Sequence, residues 1–135
     1  MIKSGPAFLA LSLLASGMQA ADRVRPGLWE NTVTADGKSV TKTSCRTPAQ
    51  TASVNGSDKT ILDSMQKAFA KTQGCALKDV KIAGNTISWV MACADRSIAS
   101  TSIYGGDTSE TTISTTTAGV TKTSRIKSRR VGNCP

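Results

Sequence analysis

Residues 75–93, CALKDVKIAGNTISWVMAC, decide the fold, because this one stretch holds two strands, their turn and a candidate covalent link. Val80 and Ile82 before Gly84-Asn85, and Ile87 and Trp89 after it, alternate with polar or small residues. That is the period of half-buried strands on either side of a tight turn. The turn sets Ile82 opposite Ile87 and Val80 opposite Trp89. Continued without interruption, the same register brings Ala76, not Cys75, beside Cys93. A single bulge near Lys78 and Asp79 shifts the pairing by one residue and lets Cys75 face Cys93. It also accounts for Leu77 changing parity against Val80 and Ile82. The chain has four cysteines, which allow three connectivities. Pairing Cys75 with Cys93 leaves Cys45 to join Cys134, tying the first hairpin to the last strand.

Upstream, GLWENTVTA (27–35) and KSVTKTSC (38–45) flank Asp36-Gly37, a strong short hairpin signal. A two-residue loop there places Val33 opposite Val40 and Trp29 opposite Ser44. Trp29, Val33 and Val40 then share one face, which is expected to belong to the core. Residues 46–56 are polar and turn-like. From 60 to 72 (TILDSMQKAFAKT) the period changes: Ile61, Leu62, Met65 and Phe69 recur at helical spacing, with Lys67 and Lys71 opposite. Ser57 or Asp58 can cap the start and Gly74 can end the helix, which gives one amphipathic helix over about 58–73.

Downstream of Asp95 the chain is rich in Thr and Ser, with turns at Gly105-Gly106-Asp107 and Ala118-Gly119. Regular turns together with Ile98, Ile103, Tyr104, Ile113, Val120 and Ile126 favour a meander over disorder. The expected fold is mainly β: about six antiparallel strands as a curled sheet or incomplete barrel over one helix, held by two disulfides.

The chain has 135 residues, 17 Lys+Arg against 9 Asp+Glu, and no histidine. Its length supports one core. The missing histidine excludes His-based triads, His zinc sites and imidazole proton shuttles. Residues 1–20 have the layout of a secretory signal peptide: Lys3, an apolar run over 7–15, then small residues up to Ala20. The run is far shorter than the ~20 residues of a spanning helix, so no transmembrane segment is expected. Cleavage near Ala20 leaves residues 21–135 as a single β-rich domain in the periplasm or outside the cell, where disulfides persist. No Cys-x-x-Cys pair is present to nucleate a metal site.

Catalysis is poorly provided for, since the chain has no Gly-x-Ser-x-Gly elbow, phosphate loop or His-Glu-x-x-His motif. Asp107 and Glu110 could pair as carboxylates, but solvated acids are ordinary beside a Gly-Gly turn. The last strand is strongly basic: Lys122, Arg125, Lys127, Arg129 and Arg130 lie there, and no acid follows Glu110. Alternation puts Arg125, Lys127 and Arg129 on one face. Such a stripe suits contact with lipopolysaccharide, another anionic envelope polymer or a lipid surface. The competing expectation is an edge strand kept from aggregating by its charge. Nucleic acid is disfavoured, because the segment carries no aromatic residue for base stacking. Thr-x-Thr runs such as Thr32/Thr34 and Thr121/Thr123 are too irregular for an ice-binding array and read as solvated strand faces. Asn55-Gly56-Ser57 matches a glycosylation sequon.

Arg25-Pro26-Gly27-Leu28-Trp29-Glu30, just after the leader, resembles the opening of a family of small exported bacterial proteins catalogued as the domain of unknown function numbered 3617. Cys75…Val80…Gly84-Asn85-Thr86-Ile87-Ser88-Trp89…Cys93 is similar to that family's second signature. Arg130-Val131-Gly132-Asn133-Cys134 resembles the third, and Tyr104-Gly105-Gly106-Asp107 a fourth. The likeness spans nearly the whole chain after the leader. It departs between Asp95 and Ser124, where Thr and Ser stand for Gly and Met. The resemblance implies an exported, disulfide-bonded β protein; it implies no reaction and assigns no functional residue. The expected function is therefore a non-enzymatic binding protein without a cofactor. The alternatives are an envelope-associated module using the basic strand, and an enzyme inhibitor or His-independent enzyme. A strongly basic protein would repel the basic surfaces of lysozyme-like enzymes, which disfavours an inhibitor of that kind.

Overall fold

A computed structural model describes residues 22–72 and 74–135, so the expected leader and its cleavage point lie outside the described residues. Seven antiparallel strands form one open sheet: β1 (Gly27–Ala35), β2 (Lys38–Arg46), β3 (Cys75–Ala83), β4 (Thr86–Cys93), β5 (Arg96–Tyr104), β6 (Thr108–Thr117) and β7 (Val120–Gly132). Their spatial order is β2-β1-β7-β6-β5-β4-β3. Two helices, α1 (Pro48–Asn55) and α2 (Asp58–Phe69), connect β2 to β3. Those two strands are the edges of the sheet, so the helical segment carries the chain from one edge to the other.

The first hairpin has the expected register, and so does the second except at Val80, which falls within the register shift instead of pairing with Trp89. Val33 pairs with Val40 and Trp29 with Ser44. Asp36 and Gly37 both have positive φ (51° and 72°), the conformation a two-residue hairpin loop requires. In the second hairpin Ile82 pairs with Ile87, the register shifts between Lys78 and Lys81, and Cys75 then meets Cys93. Asp79, at φ 50°, is the residue that absorbs the shift. Disulfides join Cys75 to Cys93 and Cys45 to Cys134.

The pairing of β1 with β7 closes the first hairpin onto the meander, and it explains the Pro-Gly-Leu-Trp stretch. Pro26 O accepts a hydrogen bond from Arg130 Nε at 2.8 Å. Gly27 sits at φ 149°, where a Cβ would stand 2.5 Å from Gly132 O and collide with the Arg130 guanidinium. Only glycine lets the two strands approach this closely.

Strand alternation and register define two faces. One carries Trp29, Ile126, Ser102, Ile87, Trp89 and Met91, and the helices lie on it; the other is open. Trp29, Ile61, Ile87 and Met91 are buried, with Trp29 at 0% exposure. Val33 and Val40 share the face of Trp29 but are 40% and 56% exposed. The expectation that they belong to the core is thus corrected: the helices do not reach that corner of the sheet.

Residues 48–55, expected as part of a turn, form α1. Pro48 opens the helix at a position where its missing N–H costs nothing. Thr47 and Gln50 cap each other reciprocally, Gln50 N donating to Thr47 Oγ1 at 3.3 Å and Thr47 N to Gln50 Oε1 at 2.9 Å. The helix has almost no apolar stripe, which is why periodicity missed it. α2 starts where expected, with Ser57 Oγ accepting from Thr60 N at 3.2 Å. It ends at Phe69 rather than near 73; Ala70 N still donates to Gln66 O. Gln73 lies outside the described residues, and Gly74 (φ 76°) falls in the turn that follows the helix. A further correction concerns β7: it is the third strand of seven, flanked by β1 and β6, so its charges do not protect an edge.

Candidate ligand-binding cleft

Arg46 ends β2, and alternation aims it at the helix-bearing face. Its guanidinium lies 4.1 Å from the centroid of the Trp29 ring, a cation–π distance. It donates to Asn31 Oδ1 at 2.9 Å, and Ser128 Oγ donates to the same oxygen at 2.7 Å. Asn31 Nδ2 in turn donates to Ser44 Oγ, and Trp29 Nε1 to Arg25 O. Both the ring and the amide that position Arg46 are therefore fixed by partners of their own. Among the described residues Arg46 makes no ion pair, and most of its five N–H groups lack a protein acceptor. Burial pushes its pKa down from the ordinary arginine value, and the neighbouring Tyr104 pulls it back up. An arginine remains charged under such a shift, so the cleft holds a half-buried cation with no carboxylate against it.

Two hollows meet beside it. One, of about 380 Å³, lies between α1 and the sheet and is lined by Ser44, Arg46, Gln50, Thr51, Val54 and Tyr104 among others. The second, of about 240 Å³, lies under α2 and includes Val54, Met65, Phe69, Ile87, Trp89 and Tyr104. Val54 and Tyr104 line both. Arg46 is the one charged side chain among the described residues lining them. The first hollow is polar around a cation. The second is mainly apolar, with three serines in its lining, and is walled by Phe69 and Trp89, whose ring centroids are 4.8 Å apart.

The walls are tied down by hydrogen bonds over long sequence distances. Arg23, 8% exposed, donates from Nε to Gly84 O at 2.8 Å and from Nη1 to Val54 O at 2.9 Å. Asn55 grips the backbone of Val24 at both ends: its Oδ1 accepts from Val24 N at 3.0 Å and its Nδ2 donates to Val24 O at 2.7 Å. The asparagine of the sequon therefore holds the last turn of α1 to the segment before β1.

The basic residues of the last strand separate between the two faces. Arg125, Lys127 and Arg129 share the open face; Lys122 and Arg130 share the helix-bearing one. Arg125 pairs with Glu110 at 3.4 Å and Arg129 with Glu30 at 2.9 Å, both on neighbouring strands. Arg130 is occupied with Pro26 O and Asn133 Oδ1. Glu110 is thus engaged by Arg125, and Asp107 by Arg25 at 3.2 Å, so these two acids do not converge on a shared proton or ion. Hydroxyl ladders cover the open face beside the stripe: Thr32 with Thr41, Thr34 with Ser39, Ser114 with Thr123 and Thr116 with Thr121, all within 3.0 Å. No helix among the described residues is long and apolar enough to cross a membrane.

Sequence reasoning passed over Arg46, because it opens a polar stretch in which an arginine is unexceptional. The available signal was the hairpin register, which puts residue 46 across from Gly27 and on the face of Trp29.

Fold and cleft together define a small disulfide-bonded protein whose open β-sheet is bridged by a helix pair. The chain belongs to the family described as "Protein of unknown function (DUF3617)", whose model matches residues 24–134. No curated protein and no solved structure matches it.

Proposed function

We propose that this is an exported, non-enzymatic binding protein whose ligand seat is the cleft between the helix pair and the sheet. The observation that carries the reading is Arg46: a half-buried guanidinium, stacked on Trp29 and oriented by Asn31, with no carboxylate among the described residues lining either hollow. Partly desolvating a cation without an anion is unfavourable for the empty protein and favourable for one that takes an anionic ligand. The leader-like residues 1–20 and the two disulfides support export. A surface role for the basic strand draws less support, because Glu110 and Glu30 already occupy Arg125 and Arg129 and leave Lys127 as the one cation of that stripe with no carboxylate partner among the described residues.

Native mass spectrometry of the protein isolated from its host without denaturant tests the reading. The protein should start at or near Ala21 and carry a small molecule that Arg46→Gln loses. A wild-type protein with no bound molecule overturns the binding function, and retention of residues 1–20 overturns export.

A further inference from the structure

From the same cleft, we infer that the ligand is an anionic amphiphile, with a carboxylate or phosphate head at Arg46 and an apolar tail under α2. The inference rests on the binding reading and adds the ligand's chemistry. The two hollows divide the work. The one at Arg46 offers free guanidinium N–H groups, with Ser44, Gln50, Thr51 and Tyr104 around them. A planar guanidinium suits an oxyanion held by two parallel hydrogen bonds, a geometry that carboxylates and phosphates share. Among the described residues the hollow under α2 has no charged lining; its apolar walls include Val54, Ile61, Met65, Phe69, Ile87 and Trp89. Ser53, Ser64 and Ser102 add hydroxyls to the lining, but apolar side chains outnumber them, so the hollow suits the chain of an acid rather than a second charged group. Since Val54 and Tyr104 border both hollows, one molecule can occupy head site and tail site across them.

The chain's two tryptophans fall one to each half, with Trp29 beneath Arg46 and Trp89 against Phe69. Their indole N–H resonances report on head and tail separately in the unmodified protein. Decanoate, decyl phosphate, decanol and acetate, titrated one at a time below aggregating concentrations, form the test. Decanoate or decyl phosphate should move both resonances. Whichever head is preferred should bind about 10- to 100-fold more tightly than decanol, the range of a charge-assisted hydrogen bond. Acetate should bind far more weakly, for want of a tail. Met65→Trp, which fills the hollow under α2 and leaves Arg46 in place, should weaken decanoate about 10-fold or more. Decanol binding as tightly as both anions would overturn the head assignment. An anion that moves only the Trp29 resonance would overturn the tail assignment. If none of the four binds while the native protein still carries a molecule, the amphiphile inference fails and the binding function stands. If the native protein is empty as well, both fail.

Discussion

One row of side chains crosses all seven strands on the helix-bearing face: Val40, Val33, Ile126, Thr111, Ser102, Ile87 and Ile82. At one end Ile87 is 5% exposed, and Ser102, a hydroxyl, is 9% exposed; at the other Val33 and Val40 face solvent. Residue type therefore does not decide burial in this row. The helices decide it, because α2 lies over β3, β4 and β5 while nothing described lies over the outer corner of β1 and β2. Alternation tells which side a residue faces; only a covering element turns that side into a core. The covered half is held by packing. The uncovered corner has to be held by backbone pairing, helped from the far end of the same strands by the Cys45–Cys134 bridge, which runs from β2 past β1 to the residues after β7.

Removing the bridges tests this division most severely. Replacing Cys45 and Cys134 with Ser should cost on the order of 4–5 kcal/mol by loop-closure reasoning, against roughly 3 kcal/mol for Cys75 and Cys93. The closed segments span 89 and 18 residues in sequence separation. Total stability for a domain of this size is only ~5–15 kcal/mol, so losing the longer bridge brings the fold close to its limit. Denaturant melts of the two double variants decide the order, and an equal or reversed loss would show that the uncovered corner does not depend on its staple.

Truncating apolar side chains comes next. Ile61→Ala, at a residue 1% exposed, should cost about 2–5 kcal/mol. Val40→Ala should stay within about 0.5 kcal/mol, as at an ordinary surface site. A large loss at Val40 would mean that something covers that corner in solution. Hydrogen bonds give a smaller contrast. Asn55→Ala leaves both backbone groups of the buried Val24 unpartnered and should cost about 1–3 kcal/mol. Ser39→Ala breaks an exposed hydroxyl pair with Thr34 and should be nearly neutral. Thermal melts of the two variants measure the difference. Among the interactions expected to contribute, the weakest is between Arg129 and Glu30, whose side chains are 67% and 32% exposed. A double-mutant cycle with Gln at both positions should give a coupling of about 0.2–1 kcal/mol. A value well above that would make the open-face network a structural element rather than a solvated one.

Strand positions were legible because the turns are spelled out locally: Asp36-Gly37, Gly84-Asn85 and Ala118-Gly119 each fall where a hairpin reverses. The disulfide partners followed from one bulge, since parity is strict in a strand and Leu77 breaks it. α1 was hidden because its residues, PAQTASVN, pattern with solvent on every side; its trace was the Thr47–Gln50 capping pair. The bridge tied the last strand to the first hairpin, but the direct pairing of β7 with β1 was not legible from pattern. Pairing β7 with β1 joins segments about a hundred residues apart, and neither strand's own pattern names its partner. Arg46 illustrates the same limit at the candidate site. Its charge is written in the sequence, but the missing carboxylate around it is a property of the assembled cleft.

The meeting of Leu28 and Gly132 across β1 and β7 also has a topological consequence. Read around the sheet from β3 to β2, every strand neighbours the next, and the step from β7 to β1 is the one with no covalent link. The chain is thus a circular permutation of a plain seven-strand meander. Nature's cut sits at that step, and a designer's cut could sit between α1 and α2. Joining the start of β1 to the end of β7 would turn the sheet's most distant pairing into its sixth short turn, since the other five strand pairs are already hairpins. The closure entropy that the Cys45–Cys134 bridge now offsets would fall to that of a hairpin loop. The covalent staple and the backbone cut are then two answers to one question: how to bring the first strand to the last.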